Sequence, residues 1–189
     1  SIGDVLSENI LKTLKVDQRS EAQKITLDPD AYEFYLKGKH KYEKREYAEE
    51  TEIARGLLKK AIELDNNLIA AHILFGETLN DWDKKLEIYS SVYKKAEELG
   101  NKMWMGRSIR KIGNTFFGKG DKDKALDNWK KALTIAEEIG DKSGMSGSIN
   151  NIGIVYFIND DFDKALEYYN NSLSINEERD DKSSIALNL

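Results

Sequence analysis

The sequence predicts an all-α solenoid of antiparallel helix pairs, on three observations. First, Gly113 and Gly153 stand forty residues apart in matching contexts, "IRKIGNTFFGKGDKDKAL" and "INNIGIVYFINDDFDKAL". The register continues on both sides: Ile109 falls on Ile149, Ile112 on Ile152, Phe116 on Tyr156, Phe117 on Phe157, Trp129 on Tyr169, Ala132 on Ser172 and Ile135 on Ile175. Second, each period holds two segments with apolar residues at helical spacing, and a period of roughly 20–50 residues marks stacked supersecondary units. Third, the chain has 1 proline in 189 residues, so little of it interrupts a helix.

Taken in order, residues 1–27 precede the array. "DVLSENILKTLKV" places Leu6, Ile10, Leu11 and Leu14 on one face of an amphipathic helix over about 4–15, and "DQRSEAQKITLD" follows as a polar linker or short helix. Asp28 and Pro29 then open the first unit, about 28–65, with the aspartate as cap and the proline in the first turn. Gly38 sits in its first helix, and Ala54, Leu58 and Ala61 keep the second-helix spacing. The second unit, about 66–100, has Gly76, but Lys85 and Val92 replace small residues, so this hairpin is expected to pack less closely.

The third and fourth units, about 101–140 and 141–180, are the best matched. In the fourth, the first helix is predicted over about 142–158, with Ile149, Ile152, Gly153, Tyr156 and Phe157 on one face. Asp160 or Asp161 caps the second helix, whose apolar set is Phe162, Ala165, Leu166, Tyr169 and Leu173. "DDKSSIALNL" matches the opening of a fifth, partial unit over about 181–189, which begins a truncated final helix. A glycine inside a helix costs about 1 kcal/mol relative to alanine, so its recurrence needs a compensating gain. The gain expected here is close helix approach at Gly113 and Ala125, and at Gly153 and Ala165, with Tyr156 and Tyr169 filling the space beside the second pair.

The set Gly113, Phe116, Ala125, Trp129, Ala132, repeated as Gly153, Tyr156, Ala165, Tyr169, Ser172, resembles the tetratricopeptide repeat. The resemblance implies a right-handed superhelix of about four repeats that binds proteins. Two features depart from it: no proline closes either unit, and each runs forty residues instead of about thirty-four. The extra length resembles the long repeats of Pins-like and kinesin-light-chain proteins. Over about 4–80, "ILKTLKV", "DPDAYEFYLKGKHKY" and "LLKKAIELDNN" together resemble the junction where a TolB-like domain, sometimes carried by a bacterial class III adenylate or guanylate cyclase, passes into such repeats. That resemblance implies a signalling protein in which 1–27 is the tail of an upstream domain.

Composition narrows the function. The chain is 40% hydrophobic and 33% charged, with a formal net charge of −5, which argues against nucleic acid as partner. The charged residues of 102–131 are mostly lysine and arginine, and those of 159–181 mostly aspartate and glutamate, patterns that suit solvated helix faces. No apolar run approaches the roughly 20 residues that cross a bilayer, so no membrane insertion is expected. No signal peptide is read at the start, and Ser1 is not an initiator, so the chain reads as a fragment; a cytoplasmic location is the expectation. There are no cysteines.

Catalytic, metal and cofactor sites are all expected to be absent. His40 and His72 have no metal-ligand spacing. "GKGDKDK" at 118–124 resembles a phosphate loop, but no strand precedes it, and a repeat turn is the better reading. Asp160, Asp161 and Asp163 lack the glycine and twelve-residue spacing of a calcium loop.

Stacked hairpins curve, and their first helices line the concave side. Residues on those helices pointing away from the second helices are the groove candidates: Arg107, Arg110, Asn114, Phe117, Asn150, Asn151, Ile154 and Phe157, with Gly147 beside them. Tyr35, Lys39, Tyr42, Ile73 and Glu77 fall similarly in the earlier units. Asparagines donate to and accept from an extended backbone, and arginines form charge-assisted bonds with carboxylates. Arg110, Asn114 and Asn151 resemble part of the carboxylate clamp of chaperone-binding repeats. Two readings follow. One is a non-catalytic scaffold holding a partner's peptide or helix in this groove, where alanine at Asn114 and Asn151 is expected to weaken capture without altering stability. The other is a regulatory or self-association domain of a larger TolB-like or cyclase-containing protein.

Overall fold

Aspartates set the helix starts. Asp28, Asp81, Asp121, Asp141 and Asp161 each turn a side-chain oxygen onto a backbone N–H two or three residues on, as Asn101 does toward Trp104. Such caps satisfy donors that the first helical turn leaves without partners. The structure, a computed structural model, describes residues 28–187, with side chains described through 179. The helix expected over 4–15, its linker and the last two residues of the partial unit lie outside the described residues.

Among the described residues there are eight α-helices and no strand. They are α1 (Pro29–Glu43), α2 (Ala48–Leu64), α3 (Ile69–Glu77), α4 (Trp82–Glu98), α5 (Lys102–Gly118), α6 (Lys122–Ile139), α7 (Lys142–Ile158) and α8 (Phe162–Leu187). They pair as α1–α2, α3–α4, α5–α6 and α7–α8, and each pair packs on the next. This is an all-α helical-repeat solenoid.

Every hairpin repeats one device: a first-helix glycine lies under a large side chain of the second helix. A methyl group placed on Gly113 would stand 2.7 Å from the Trp129 ring and 3.2 Å from the Ala125 carbonyl oxygen. On Gly153 it would meet the Tyr169 ring at 2.9 Å, on Gly76 the Tyr89 ring at 2.6 Å, and on Gly38 the Leu58 side chain at 2.9 Å. Each of these side-chain contacts is closer than real side chains come, so a methyl group enters only if its neighbour shifts. Ala54 and Ala125 are 0% exposed and Ala165 2%, on the opposite side of the same seams. The packing gain outweighs the lost helix propensity. In the fourth unit the space is filled differently from expectation, because Tyr156 stacks on Tyr168 at 5.2 Å while Tyr169 covers the glycine.

Between hairpins, Gly100 and Gly140 make the joints with φ of +63° and +66°, a left-handed conformation that glycine adopts without penalty. Lysine–glutamate pairs then tie the first helix of a unit to the second: Lys102 to Glu138 at 2.9 Å, and forty residues on, Lys142 to Glu178 at 2.5 Å.

Two differences from the sequence reading, and the length of one helix, have physical causes. α8 runs unbroken to Leu187, so no separate helix opens at 181; Asp180 stands where Gly140 made the left-handed joint. Phe162, Leu166 and Leu173, expected to be covered, are 55–59% exposed. Leu126 and Leu133, the counterparts of Leu166 and Leu173, pack against the cluster of Ala125, Trp129, Ile152 and Val155, because α7 lies over that edge of α6, whereas no described helix lies over α8. Finally, α3 has nine residues, about half the length of its neighbours. Its end is fixed by Arg55 of α2, whose guanidinium donates to both the hydroxyl (3.2 Å) and the carbonyl oxygen of the buried Thr78.

Candidate functional site

The shortness of α3 and the lysine at position 85 open a cavity in the second hairpin. Where the other three seams hold a buried alanine, α4 presents Lys85, and the space beside it is not closed. The cavity measures about 170 Å³ and is lined by Tyr42 of α1, Glu77 of α3, Trp82, Lys85 and Tyr89 of α4, and Lys111, Asn114 and Thr115 of α5. Thus three consecutive hairpins contribute to it.

Its electrostatics are built from few groups. Lys111 forms an ion pair with Glu77, and the Tyr42 hydroxyl donates to the Glu77 carbonyl oxygen at 3.2 Å. Lys85 holds its ammonium 4.7 Å above the Trp82 ring, a cation–π contact. Burial pushes the Lys85 pKa down, Glu77 opposes this, and Lys111 adds to the depression. Burial is also the main cause that raises the pKa of Tyr89 and Tyr42, so both remain neutral phenols. With two ammonium groups and one carboxylate, the cavity carries a net charge near +1.

Asn114, at the cavity's edge, is fixed from behind. Its Oδ1 accepts from Trp129 Nε1 at 2.8 Å and from Asn151 Nδ2 at 2.9 Å. An indole N–H only donates, so the assignment of the amide oxygen follows, and its NH2 takes no part in these two bonds. Asn114 and Asn151 therefore join α5, α6 and α7. Alanine at Asn114 would strand the buried indole donor, so a change in stability is expected there alongside any change in capture.

The other groove candidates separate into two groups. Arg107, Arg110 and Gly147 come together along α5 and α7: Arg107 lies 4.9 Å over the Trp104 ring, and the Arg110 guanidinium lies against Gly147, 3.2 Å from where a methyl group would stand. Burial, then repulsion from Arg107, lowers the Arg110 pKa, so its charge is incompletely compensated there. A cavity of about 10 Å³ beneath these arginines has room for no more than a water. Asn150 is exposed, and Ile154 and Asn151 are half-buried on the same helix. The second group is engaged in packing. Phe117 packs on Trp129 at 5.5 Å, Ile73 is 9% exposed in the cluster with Tyr89 and Val92, and Tyr35 packs beside Tyr32. Phe157, 53% exposed, meets Phe162 edge-on at 5.6 Å at the open end of the array. Phe117 and Phe157 occupy the seam between units, which is why one is covered by α7 and the other is bare.

Trp82, Lys85, Tyr89 and Lys111 were absent from the sequence reading of the site. The signal available was Lys85 itself, a charge in a position the pattern keeps small. Among the described residues no group of three potential metal ligands comes together, and no described helix is long and apolar enough to cross a membrane.

Glycine-seated hairpins stacked one on the next define an all-α helical-repeat solenoid. The family model described as tetratricopeptide repeat matches residues 148–179, which run from within α7 into α8. Among solved structures, the chain is similar to MamA, with 21% identity, 82% of this chain and 83% of that one covered, and a TM-score of 0.53. It is similar also to aspartyl phosphate phosphatase F from Bacillus subtilis, with 20% identity, 80% and 41% covered, and a TM-score of 0.67. The apo form of RapI gives 17% identity, 93% and 65% covered, and a TM-score of 0.67. At these identities the likeness is one of fold. No curated protein matches the chain.

Proposed function

We propose that the chain is a non-catalytic protein-interaction scaffold that holds an extended peptide or a helix of a partner along α5 and α7. The observation that carries this reading is the row of polar side chains that bridges these two first helices, with Arg110 laid on Gly147 and Asn114 bonded to Asn151, beside the exposed Asn150. A rigid polar row of this kind meets a peptide backbone without first having to be ordered, which lowers the entropic cost of binding. The test is selection of twelve-residue displayed peptides on the whole chain. Arg107→Glu with Asn150→Lys should abolish capture of the selected peptides, while Lys130→Glu on the outer face of α6 should not. Equal capture by both variants would overturn the reading.

A second reading, self-association within a larger TolB-like or cyclase-containing signalling protein, is favoured by the exposed stripe of Phe162, Leu166 and Leu173 on α8. Exposed apolar stripes of this kind mark contact surfaces. Sedimentation of the wild type and Leu166→Lys separates the two readings: a concentration-dependent dimer lost in the variant supports self-association, and a monomer in both removes it.

A further inference from the structure

Within the four hairpins, the second alone carries a charge at its tightest point. Ala54, Ala125 and Ala165 are at most 2% exposed where Lys85 stands in α4. We propose that the cavity beside Lys85 is a subsite for one carboxylate of a bound peptide, gripped by the ammonium groups of Lys85 and Lys111 and packed against Trp82. This rests on the peptide-binding reading above and names the chemistry that the peptide brings.

Four features carry it. Size comes first: about 170 Å³ lies below the ~300 Å³ at which typical small-molecule sites begin and suits a single side chain or chain end. Charge comes second. Lys111 is balanced by Glu77, but among the described residues Lys85 forms no ion pair and rests on the Trp82 ring. A single negative charge completes the set, whereas a dianionic phosphate would leave an excess. Third, Trp82 is 41% exposed and supplies an apolar wall for the methylene groups behind a carboxylate. Fourth, Asn114 lines the cavity, and its amide is held by Trp129 and Asn151 through Oδ1 alone.

The experiment labels the indole nitrogens of the whole chain and follows the Trp82 N–H resonance by NMR. Trp129 serves as internal reference, being 2% exposed with its N–H already bonded. Three probes are titrated: acetyl-Gly-Gly-Glu-Gly-Gly-amide, the same peptide with Gln for Glu, and acetyl-pentaglycine with a free C-terminus. The Glu peptide or the free C-terminus should move Trp82 saturably, and whichever binds more tightly identifies the source of the carboxylate. The Gln peptide should not move it. Lys85→Ala should weaken binding by about tenfold or more, the worth of one charge-assisted bond, and Lys85→Arg should restore it. Equal responses to Glu and Gln peptides, or unchanged affinity in Lys85→Ala, would overturn the proposal. Displayed peptides that lose binding to the Arg107/Asn150 variant but keep it with Lys85→Ala would overturn this subsite alone and leave the scaffold reading standing.

Discussion

Trp129 donates its indole N–H to the Asn114 side-chain oxygen at 2.8 Å, across the seam of the third hairpin. The indole is 2% exposed, so water cannot replace the acceptor. Asn114→Ala should therefore lower unfolding free energy by about 1–3 kcal/mol, the cost of a buried donor left without a partner. Asn151→Ala removes only a second donor to the same oxygen and should cost about 0.5–1 kcal/mol. Urea denaturation of both variants checks the order; a smaller loss for Asn114 than for Asn151 would contradict it.

Two glycine-to-alanine changes should act with opposite sign. At Gly113 the new methyl group meets the Trp129 ring at 2.7 Å, and the rigid indole must shift, so a loss of about 1–3 kcal/mol is expected. At Gly56, an exposed position inside α2, nothing lies within 4 Å, so alanine should raise stability by about 0.5–1 kcal/mol. Thermal melts of the pair decide whether packing or helix propensity governs each site.

Gly120 and Asp160 stand forty residues apart in the same left-handed turn, with φ of +86° and +59°. A side chain is strained there, although aspartate tolerates it better than most residues. Asp160→Gly should stabilise the chain by about 0.5–1 kcal/mol. No gain in melting temperature would show that the aspartate makes a compensating contact.

His72 gives a pH dependence. Its Nε2 lies 3.0 Å from the Asn66 carbonyl oxygen, which accepts only, so Nε2 carries the proton. Burial, opposed by that bond, lowers its pKa; Lys95 lowers it further and Asp65 raises it. The folded state thus binds a proton more weakly than the unfolded state. The stability linked to His72 is fully present above the unfolded pKa of about 6.5 and declines as pH falls through the window below it. His72→Gln should flatten the wild-type stability profile between about pH 6.5 and 5. A wild-type profile that the substitution leaves unchanged would contradict the assignment.

Much of the architecture was legible because it is periodic. One repeat, read from Gly113 and Gly153, carries the helix pairing, the caps and the buried alanines. What recurrence cannot convey is where a unit lacks its neighbour. Leu166 and Leu173 match Leu126 and Leu133 by position, yet they are bare because covering them takes a helix from the following unit. Nor does helical spacing show that Phe117 packs on Trp129 and the cluster between units. The cavity was legible only as an irregularity. Lys85 breaks the pattern in the sequence, but the space it opens depends on where Arg55 stops α3, a contact between side chains 23 residues apart.

The joints at Gly100 and Gly140 share one backbone conformation, and the units they precede close with equivalent ion pairs, Lys102 to Glu138 and Lys142 to Glu178. Excising residues 101 through 140 would splice Gly100 directly onto Asp141, and the splice would reproduce a junction the molecule already contains. Unequal recombination within the coding sequence can therefore shorten or extend this protein one whole module at a time, with no new connection to invent. Its reach is a heritable variable, although loss of 101–140 would also take Lys111 and Asn114 from the wall beside Lys85.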